Sequence, residues 1–313
     1  MSANTPYVRP DVVNLLAMLA AQPGPKLSEI SPAEGRAMMT GMTQMLERPR
    51  GDITTADLVI PGSIKARLYT PSDDAGPVLI YYHGGGWVIG DLDTHDPLCA
   101  EIARQLGMRV VSIDYRMAPE APFPAAAEDC ISATRWIAGS PAELGAAVTG
   151  VIPAGDSAGG NLAAAVTREL HGSLAAPIIA QWLIYPATDM TEAEGSMAEF
   201  ADGYLLTKDS MDWFHAHYMK GSEDKLLHPW ASPLHAETLA GLPPTMVFTC
   251  GLDPLRDQGR AYAARLIQDG VRVLYREAAG QIHGCFTMRM GIPSAHEDLT
   301  ACITDLKLLL ANG

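Results

Sequence analysis

The chain has few cysteines and no arrangement that would use them together. It is 313 residues long, and its five cysteines stand singly, with no C-x-x-C pair among Cys99, Cys130, Cys250, Cys285 and Cys302. An odd number of scattered cysteines argues against a disulfide framework and against a zinc site. It is typical of free thiols in a reducing compartment, buried as small apolar side chains. We therefore expect a cytoplasmic protein.

Positive charge and long apolar runs are also scarce. There are 22 lysines and arginines against 36 acidic residues, a net charge of −14, which works against binding nucleic acid through a broad basic face. The apolar segment VVNLLAMLAA, residues 12–21, is too short to span a bilayer. It follows Arg9, Pro10 and Asp11 rather than a basic cluster, so we interpret it as an amphipathic helix packed on the protein and not as a cleaved signal. We expect no nucleic-acid partner and no insertion into a membrane.

Signatures of phosphate and metal binding are missing as well. A dinucleotide-binding G-x-G-x-x-G that begins at Gly84 would need glycine at the position of Ile89, and neither G-x-x-x-x-G-K-[ST] nor H-E-x-x-H occurs. His215 and His217 are two residues apart in a helical pattern, so they point to different faces. The sequence predicts no cofactor and no metal.

The chain does contain a regular alternation of apolar β-forming runs and helical stretches. VLIYYH is followed by PLCAEIARQLG, and MRVVSIDY by PAAAEDCISATRWIAG. Strand runs that are apolar throughout and separated by helices indicate a mostly parallel sheet with helices on both faces, an α/β fold. Functional loops of such a fold lie at the carboxyl ends of the strands. Ahead of this alternation, residues 57–71 (DLVIPGSIKARLYTP) predict a β-hairpin around Pro-Gly.

Two segments lie outside the alternation. Residues 1–50 are helical in pattern, rich in methionine and without a strand signal. Residues 187–235 contain acidic loop material and the helix-like run LLTKDSMDWFHAHYM, inserted between two predicted strands. We expect these two segments to form a lid over the carboxyl ends of the strands.

The strongest chemical signal is GDSAG, residues 155–159, between a strand run and a helical run. G-x-S-x-G at a strand-to-helix turn is the pattern of a nucleophile elbow, in which small neighbours permit a strained turn that raises the serine oxygen above the sheet edge. The pattern alone is weak, because a serine among glycines is often only a helix cap. Ser157 is the candidate nucleophile.

A serine hydroxyl needs a base to take its proton and a third group to orient that base. In hydrolases with a nucleophile elbow, the acid follows a later strand and the histidine follows a still later one. Asp253 comes two residues after the end of the run PTMVFTCG, and His283 comes after VRVLYREA in a loop next to glycine. We predict Asp253 as the acid and His283 as the base. Asp257 is the alternative acid, but it lies one turn inside the following helical run.

The run YYHGGGW, residues 81–87, places three consecutive glycines after a strand. Glycine is costly to order, so such a run needs a reason. Acyl transfer passes through an oxyanion, and an H-G-G-G loop after an early strand supplies backbone donors to it, together with the N–H after the nucleophile. We predict Gly84, Gly85 and Ala158 as these donors. His83 then anchors the loop rather than transferring protons.

The segments HGGGW, DYRMAPE, GDSAGGN, DPLRD and IHG occur together in this order. On these motifs, over roughly residues 55–313, the sequence resembles the hormone-sensitive lipase family of α/β-hydrolases, in the bacterial esterase branch that carries GDSAG. The resemblance implies an α/β-hydrolase catalytic domain over 51–186 and 236–313, and a helical cap from 1–50 and 187–235. Carried over to this sequence, the family's nucleophile, acid, base and oxyanion donors fall on the residues already chosen.

The resemblance also implies an activity. It points to a serine carboxylesterase that hydrolyses short- to medium-chain esters, with an amidase or deacetylase, or a receptor-like protein that only binds its ligand, as alternatives. The presence of His283 argues against a pure receptor. The resemblance further implies that Arg116 and Glu120 brace the oxyanion loop; a plain surface ion pair is the alternative. The expected partner is a small ester, and a homodimer is compatible with the family.

Three positions depart from the family pattern. Pro153 removes a hydrogen-bond donor from the strand before the elbow, so we expect that strand to end or bulge there. Cys285 stands where phenylalanine is usual, with Phe286 one place later, and Gln281 stands where an apolar residue is common. Because Cys285 and Gln281 flank His283, we expect them to affect the shape of the pocket or the hydrogen bonding of His283. We do not expect them to remove the set of serine, acid and base.

The pocket is the least determined part of the site. Side chains of the predicted cap and of the loops near the nucleophile and base are candidates for its apolar wall, although packing between helices is the commoner role at helical spacing. For the tryptophan after the glycine run, core packing and an acyl-pocket wall are equally open. The candidate substrate-binding residues are Trp87, Tyr204, Leu205, Phe214 and Ile282.

Overall fold

The structure is a computed structural model that describes residues 6–311. Within these residues a single eight-stranded sheet runs in the order β1-β2-β4-β3-β5-β6-β7-β8. Its strands are β1 Thr54–Ile60, β2 Ile64–Thr70, β3 Gly76–Tyr82, β4 Arg109–Asp114, β5 Val148–Asp156, β6 Gln181–Ile184, β7 Thr245–Leu252 and β8 Val273–Ile282.

The sheet is mostly parallel, as the alternation predicts. The strands from β4 through β3, β5, β6 and β7 to β8 pair in parallel, whereas β2 pairs antiparallel with both β1 and β4. The predicted hairpin is β1 and β2, joined by a turn over residues 61–63. The carboxyl ends of the parallel strands therefore meet at one edge of the sheet, where a site can be assembled.

Helices cover both faces of the sheet, and the side chains of the strands alternate between two hydrophobic cores. In β3, Val78 and Ile80 pack into the core beneath α4 (Ala125–Ala138) and α5 (Ala158–Leu170), while Leu79 and Tyr81 pack into the core beneath α3 (Asp96–Leu106) and α9 (Pro293–Ala311). This two-residue alternation explains why the strand is apolar throughout. The helices are α1 Pro10–Ala21, α2 Pro32–Leu46, α3 Asp96–Leu106, α4 Ala125–Ala138, α5 Ala158–Leu170, α6 Ser196–Glu199, α7 Lys208–Tyr218, α8 Arg256–Gln268 and α9 Pro293–Ala311.

The expectation that β5 ends or bulges at Pro153 is wrong. The strand continues through this residue, which pairs with Ile80 of β3. Val151 directs its N–H to the carbonyl of Pro177, on the β6 side, and by the two-residue period Pro153 faces the same way. The β5–β6 ladder begins only at Ala154, so the missing N–H falls ahead of that ladder and costs no ladder hydrogen bond.

The two segments outside the alternation meet one another. The helices α1 and α2 precede the sheet, and α6 and α7 lie in the insertion between β6 and β7. The Ser28 hydroxyl, between α1 and α2, donates a 2.6 Å hydrogen bond to Asp209 in the first turn of α7. The run 12–21 forms most of α1, which buries Val12 and Leu15. Among residues 6–311, no helix combines the length and apolar character needed to cross a membrane.

Candidate active site

The nucleophile elbow is the sharp turn between β5 and α5. Ser157 is its corner residue, with φ of 57° and ψ of −118°, a conformation that is strained for a residue with a side chain. The turn is held by hydrogen bonds on both sides: the Ser157 N–H donates to the Ile184 carbonyl at 2.9 Å, and its carbonyl accepts from the Asn161 N–H at 3.1 Å. A Cβ at Gly159 would overlap the carbonyl oxygen of Tyr82. Only glycine therefore lets α5 start this close to β3.

The structure brings the three predicted catalytic side chains into one hydrogen-bonded line. His283 Nε2 lies 2.8 Å from Ser157 Oγ, and His283 Nδ1 lies 2.8 Å from Asp253 Oδ2. Asp253 is fully buried, and its other carboxylate oxygen accepts the Leu255 N–H at 2.8 Å. That second bond fixes the carboxylate in the loop between β7 and α8. The imidazole is thereby oriented between acid and nucleophile, the arrangement that proton transfer from serine requires.

The alternative acid is held elsewhere. Asp257 accepts hydrogen bonds of 2.9 Å from the Arg256 Nε, the Arg260 Nη1 and the Ser196 N–H. These partners lie on α8 and at the start of α6. Because both carboxylate oxygens of Asp257 accept hydrogen bonds from these partners, the structure supports Asp253 as the acid.

The two unusual residues near the base do not contact its ring nitrogens. Gln281 is buried and donates its side-chain N–H to Asp298 of α9 at 3.3 Å. Cys285 is buried with its sulfur 3.8 Å from that of Cys250. The nearest ring to the imidazole is that of Tyr185, at 4.7 Å between centroids. Both departures are therefore packing features behind the base.

The structure contradicts Gly84 as an oxyanion donor. Its N–H donates a 2.9 Å hydrogen bond to Oδ1 of Asp156, so this donor is already used. The residues of the glycine loop that line the cavity next to Ser157 are Gly85 and Gly86. The sequence signal H-G-G-G locates the loop but does not say which of its three donors is occupied.

Gly85 and Gly86 border the same cavity as Ser157, and Ala158 follows Ser157 in the chain. Among the described residues, no acceptor bonds the N–H of Gly85 or Gly86. Ala158 is the first residue of α5, where N–H groups have no partner within the helix and the helix dipole favours negative charge. A Cβ at Gly86 would overlap the ring of Phe214, which explains why this position is glycine.

His83 anchors the glycine loop, as predicted from the sequence. It is fully buried, and its Nδ1 lies 2.8 Å from the carbonyl oxygen of Gly84. Its ring stacks on that of Tyr115 at 4.3 Å, and the Tyr115 hydroxyl donates to the His83 carbonyl at 2.7 Å. Burial, together with the neighbouring His95, lowers the pKa of His83 to about 4. The imidazole is therefore neutral and structural at physiological pH.

The expectation that Arg116 and Glu120 brace the loop together is wrong. Arg116 pairs with Asp129 of α4, at 2.8 Å, and not with Glu120. Glu120 is instead bonded by Arg36 of α2, at 2.6 Å, and this pair lowers the pKa of Glu120 to about 2. Arg36 also donates to the carbonyl of Val88, just after the glycine loop. No spacing in the sequence signals this contact, because it joins residues 52 positions apart.

A cavity of about 280 Å³ opens above Ser157 and His283. It lies between the sheet edge and the two helical segments, and most of its wall is apolar. Four methionines contribute to it, three of them from α2. The lining residues are Pro25, Leu27, Met38, Met39, Met42, Thr43, Gly85, Gly86, Ile89, Asp156, Ser157, Leu205, Leu206, Ser210, Phe214, His283, Gly284, Thr287 and Met288.

The predicted pocket residues divide into two groups. Leu205 and Phe214 line the cavity. Trp87, Tyr204 and Ile282 are not among its lining residues, which corrects their assignment. Trp87 is 1% exposed and stacks on Tyr218 at 4.3 Å, so of its two interpretations the structure favours core packing. Ile282 is fully buried in the core on the side of α3 and α9, and Tyr204 packs edge-on against Phe200.

The contribution of methionines to the cavity wall was not predicted, because the methionines before residue 50 carry no catalytic pattern. Met38, Met39 and Met42 lie on one face of α2, at helical spacing, and this spacing is also that of ordinary core packing. Within residues 6–311, no group of three or more histidine, cysteine or acidic side chains is placed to hold a metal ion.

A mostly parallel sheet with a serine at the elbow after β5, an aspartate after β7 and a histidine after β8 is the arrangement of an α/β-hydrolase. A family model described as the α/β hydrolase fold matches residues 79–287. Carboxylic ester hydrolase LipN of Mycobacterium tuberculosis is 44% identical over 259 residues, 80% of this chain and 69% of that protein. The chain belongs to the hormone-sensitive lipase family of α/β-hydrolases, as the motifs indicate.

Further relatives agree with this assignment. Ethyl acetate hydrolase of Pseudomonas putida is 37% identical over 251 residues, which cover 78% of each chain. A thermostable esterase of Pseudomonas putida has a solved structure similar to this one, with a TM-score of 0.91 at 32% identity over 98% of this chain and 99% of that one. The similarity to this solved structure extends over the helical segments as well as the sheet.

Proposed function

We propose that the protein is a serine carboxylesterase that hydrolyses short- to medium-chain carboxylic esters through an acyl-enzyme on Ser157. One observation carries the proposal: Ser157, His283 and Asp253 form a continuous hydrogen-bonded line at the floor of an apolar cavity. Ester hydrolysis is also the named activity of its relatives in Mycobacterium tuberculosis and Pseudomonas putida.

The reaction starts with the Ser157 oxygen attacking the ester carbonyl carbon while its proton passes to His283 Nε2. The carbonyl oxygen becomes an oxyanion, which the N–H groups of Gly85, Gly86 and Ala158 stabilise; each such donor contributes about 2.7–4 kcal/mol. His283 then gives its proton to the departing alcohol. Water, activated by the same imidazole, releases the carboxylic acid and restores the serine. Asp253 keeps the imidazole oriented and stabilises its protonated form.

The cavity supports the choice of substrate. Its wall is mostly apolar and includes residues of α2 and α7, and its volume of about 280 Å³ limits the length of the acyl or alcohol chain that it accepts. We propose that residues 1–50 and 187–235 act together as a cap over this cavity, with residues 51–186 and 236–313 as the catalytic domain. Leu205, Leu206 and Phe214 from the insertion line this cavity together with Met38 and its neighbours from α2.

A role limited to ligand binding is the alternative from another class. It is opposed by the position of His283, since a binding pocket gains nothing from an imidazole aligned between a serine and a buried carboxylate. An amidase or deacetylase would use the same groups, and a narrow response to one class of substrate would distinguish it.

The test is hydrolysis of p-nitrophenyl esters of increasing acyl length. We expect the rate to be highest with short to medium chains and to fall by about 10⁴-fold or more in Ser157→Ala and His283→Ala, as for other triads. Ser112→Ala is the matched control, because Ser112 is fully buried in β4 away from the cavity lining. A wild type that is inactive on every ester, or a Ser157→Ala variant with unchanged kcat, would contradict the proposal.

Cytoplasmic location and a homodimer remain predictions. The first is supported by the five cysteines, all of which are free and buried. Fractionation of cells that express the tagged protein checks the location, and light scattering in solution gives the mass of the assembly.

A further inference from the structure

A second buried carboxylate lies directly beside the nucleophile. Asp156 precedes Ser157 at the end of β5, is 4% exposed and also borders the active-site cavity. The mechanism above gives it no role. Because a buried charge is costly unless several donors satisfy it, its partners indicate what it does.

Three groups surround the Oδ1 atom of Asp156. The Tyr81 hydroxyl donates over 2.8 Å, the Gly84 N–H donates over 2.9 Å, and His95 Nε2 lies at 3.3 Å. His95 is itself fully buried, with Nδ1 3.0 Å from the Thr94 hydroxyl. Burial raises the pKa of Asp156, but attraction to His95 and hydrogen bonds from His95 and Tyr81 outweigh burial and hold that pKa below its usual range. The carboxylate is therefore an ionised acceptor.

One of these donors belongs to the glycine loop. Gly84 is held on both sides, its N–H by Asp156 and its carbonyl oxygen by Nδ1 of His83. The carboxylate also packs against this residue, since a Cβ at Gly84 would lie 2.9 Å from the carboxyl carbon of Asp156. With Gly84 fixed, the directions in which Gly85 and Gly86 present their N–H groups are restricted to those compatible with this anchor.

We propose that Asp156 is a positioning residue for the oxyanion hole. Its carboxylate holds the Gly84 N–H, and this anchor aligns the N–H groups of Gly85 and Gly86 with the oxygen that becomes negative in the transition state. The inference rests on the proposed function, because aligning an oxyanion hole matters only if Ser157 attacks an ester.

A matched pair of ketones separates positioning from a general effect on structure. With a trifluoromethyl ketone, the Ser157 oxygen adds to the ketone carbon, the serine proton passes to His283, and the ketone oxygen becomes an oxyanion in the hole. The methyl ketone of the same chain length occupies the pocket without this addition. If the N–H groups of the hole lose their alignment, only the affinity for the trifluoromethyl ketone falls. If the pocket is distorted, the affinities for both ketones fall.

Asp156→Ala removes the acceptor, and Asp156→Ser keeps a polar group that is too short to reach Gly84. In both we expect kcat/KM and trifluoromethyl ketone affinity to fall together by about 100-fold to 1,000-fold, the size of one lost oxyanion donor, with methyl ketone affinity unchanged. Asp156→Asn keeps an acceptor oxygen at the same distance, and we expect it to lose less than about 10-fold. If the alanine variant does not fold, the serine variant decides.

Asp129→Ala is the control for removal of a buried carboxylate. Asp129 accepts the backbone N–H of Arg116 at 2.9 Å and its Nε–H at 3.0 Å, and no hydrogen bond within residues 6–311 joins Asp129 to the glycine loop. We expect it to lower Tm without changing the ratio of the two ketone affinities.

Three results would overturn the inference: folded Asp156 variants with wild-type kcat, equal losses for both ketones, or an asparagine variant as impaired as alanine. An inactive wild type would instead refute the proposed function.

Discussion

The guanidinium group of Arg36 in α2 donates a 2.9 Å hydrogen bond to the carbonyl oxygen of Val88, at the far end of the glycine loop. A second donor of the same group bonds the Ala118 carbonyl at 3.0 Å, and two donors bind Glu120. One side chain of the N-terminal segment thus ties α2, the glycine loop and the Met117–Glu120 region together. The glycine loop is therefore braced by the N-terminal helical segment and not only by the sheet.

Arg36→Ala should therefore impair catalysis and not only stability. We expect kcat/KM to fall by about 10-fold, since hydrogen bonds from a charged group contribute about 1.5–3 kcal/mol. Glu120→Gln is the control, because it leaves the two backbone bonds of Arg36 in place, and its kcat/KM should stay within about 3-fold of wild type. Steady-state kinetics beside thermal unfolding of each variant provide the measurement. Equal losses in both variants would show that the ion pair, and not the backbone contact, is what matters.

The identity of the acid is tested by a pair of asparagine variants. Asp253→Asn keeps the size of the side chain but favours the wrong orientation and tautomer of His283, so kcat should drop by about 10⁴-fold. Asp257→Asn should leave kcat within about 3-fold, because its partners lie on α6 and α8 and not at the base. Kinetics with one p-nitrophenyl ester are sufficient. The reverse order of losses would assign the acid to Asp257.

Chain-length selection is tested on α7. Phe214 borders the cavity, so Phe214→Ala should enlarge it and raise kcat/KM for esters two carbons longer by about 10-fold relative to the shortest ester, at about 0.8 kcal/mol per buried CH₂. Met211 is buried on the same helix but does not line the cavity. Met211→Ala should lower stability by about 2–5 kcal/mol with the same chain-length profile as wild type. An unchanged profile in the Phe214 variant would place the acyl chain elsewhere.

Acid sensitivity should follow from His83. Its pKa is about 4 in the folded protein because of burial and of His95, against about 6.5 when unfolded. Between these values the unfolded state binds a proton that the folded state does not, so the contribution to stability is complete above about pH 6.5 and is lost as the pH falls toward 4. The shift corresponds to about 3 kcal/mol.

We therefore compare how much the free energy of unfolding falls when the pH is lowered from 7 to 4. The fall should be about 3 kcal/mol smaller in His83→Asn than in wild type. The asparagine amide keeps a donor near the position of Nδ1, which holds the Gly84 carbonyl. Urea denaturation at several pH values measures the difference. Parallel pH profiles for the two proteins would mean that His83 is protonated in the folded state.

A buried ion pair connects the end of α2 to the segment after the base. Arg289 Nε donates to Glu47 at 2.7 Å, its backbone N–H donates at 2.9 Å, and both side chains are 1% exposed. Glu47→Leu or Arg289→Met alone should cost about 3–5 kcal/mol, because each leaves a buried charge unpaired. The double variant Glu47→Leu with Arg289→Met should cost less than either single one. Urea denaturation of all four proteins forms the cycle, and additive losses would mean that the two charges do not interact.

Sequence patterns located most of the fold and the reacting groups for reasons that are local. Apolar runs of strand length that alternate with helical stretches specify a parallel sheet, and parallel strands bring their carboxyl ends to one edge. Ser157, Asp253 and His283 each follow a strand, so the topology alone places them at that edge. The structure adds the distances between their side chains, 2.8 Å in both contacts to the imidazole.

Contacts between distant segments were out of reach of the patterns. Pro153 was expected to interrupt β5. Its missing N–H costs no ladder hydrogen bond only because the pairing of β5 with β6 begins at Ala154. Trp87 had two equally good interpretations until its stacking on Tyr218 selected one. Arg36 carried no signal at all. In each case the outcome depends on a neighbour that packing supplies and that sequence spacing does not encode.

By itself, the sequence determined the α/β architecture and the places of Ser157, Asp253 and His283 after their strands, because hydrophobic period, strained-turn chemistry and chain order are properties of short segments. Tertiary structure alone decided which N–H groups of the glycine loop already have an acceptor. The Gly84 N–H donates to Asp156, 72 residues later in the chain, whereas within residues 6–311 no acceptor bonds the N–H of Gly85 or Gly86. A backbone N–H in a packed interior binds whichever acceptor the fold brings within reach, and that competition is settled only when β3 and β5 lie side by side.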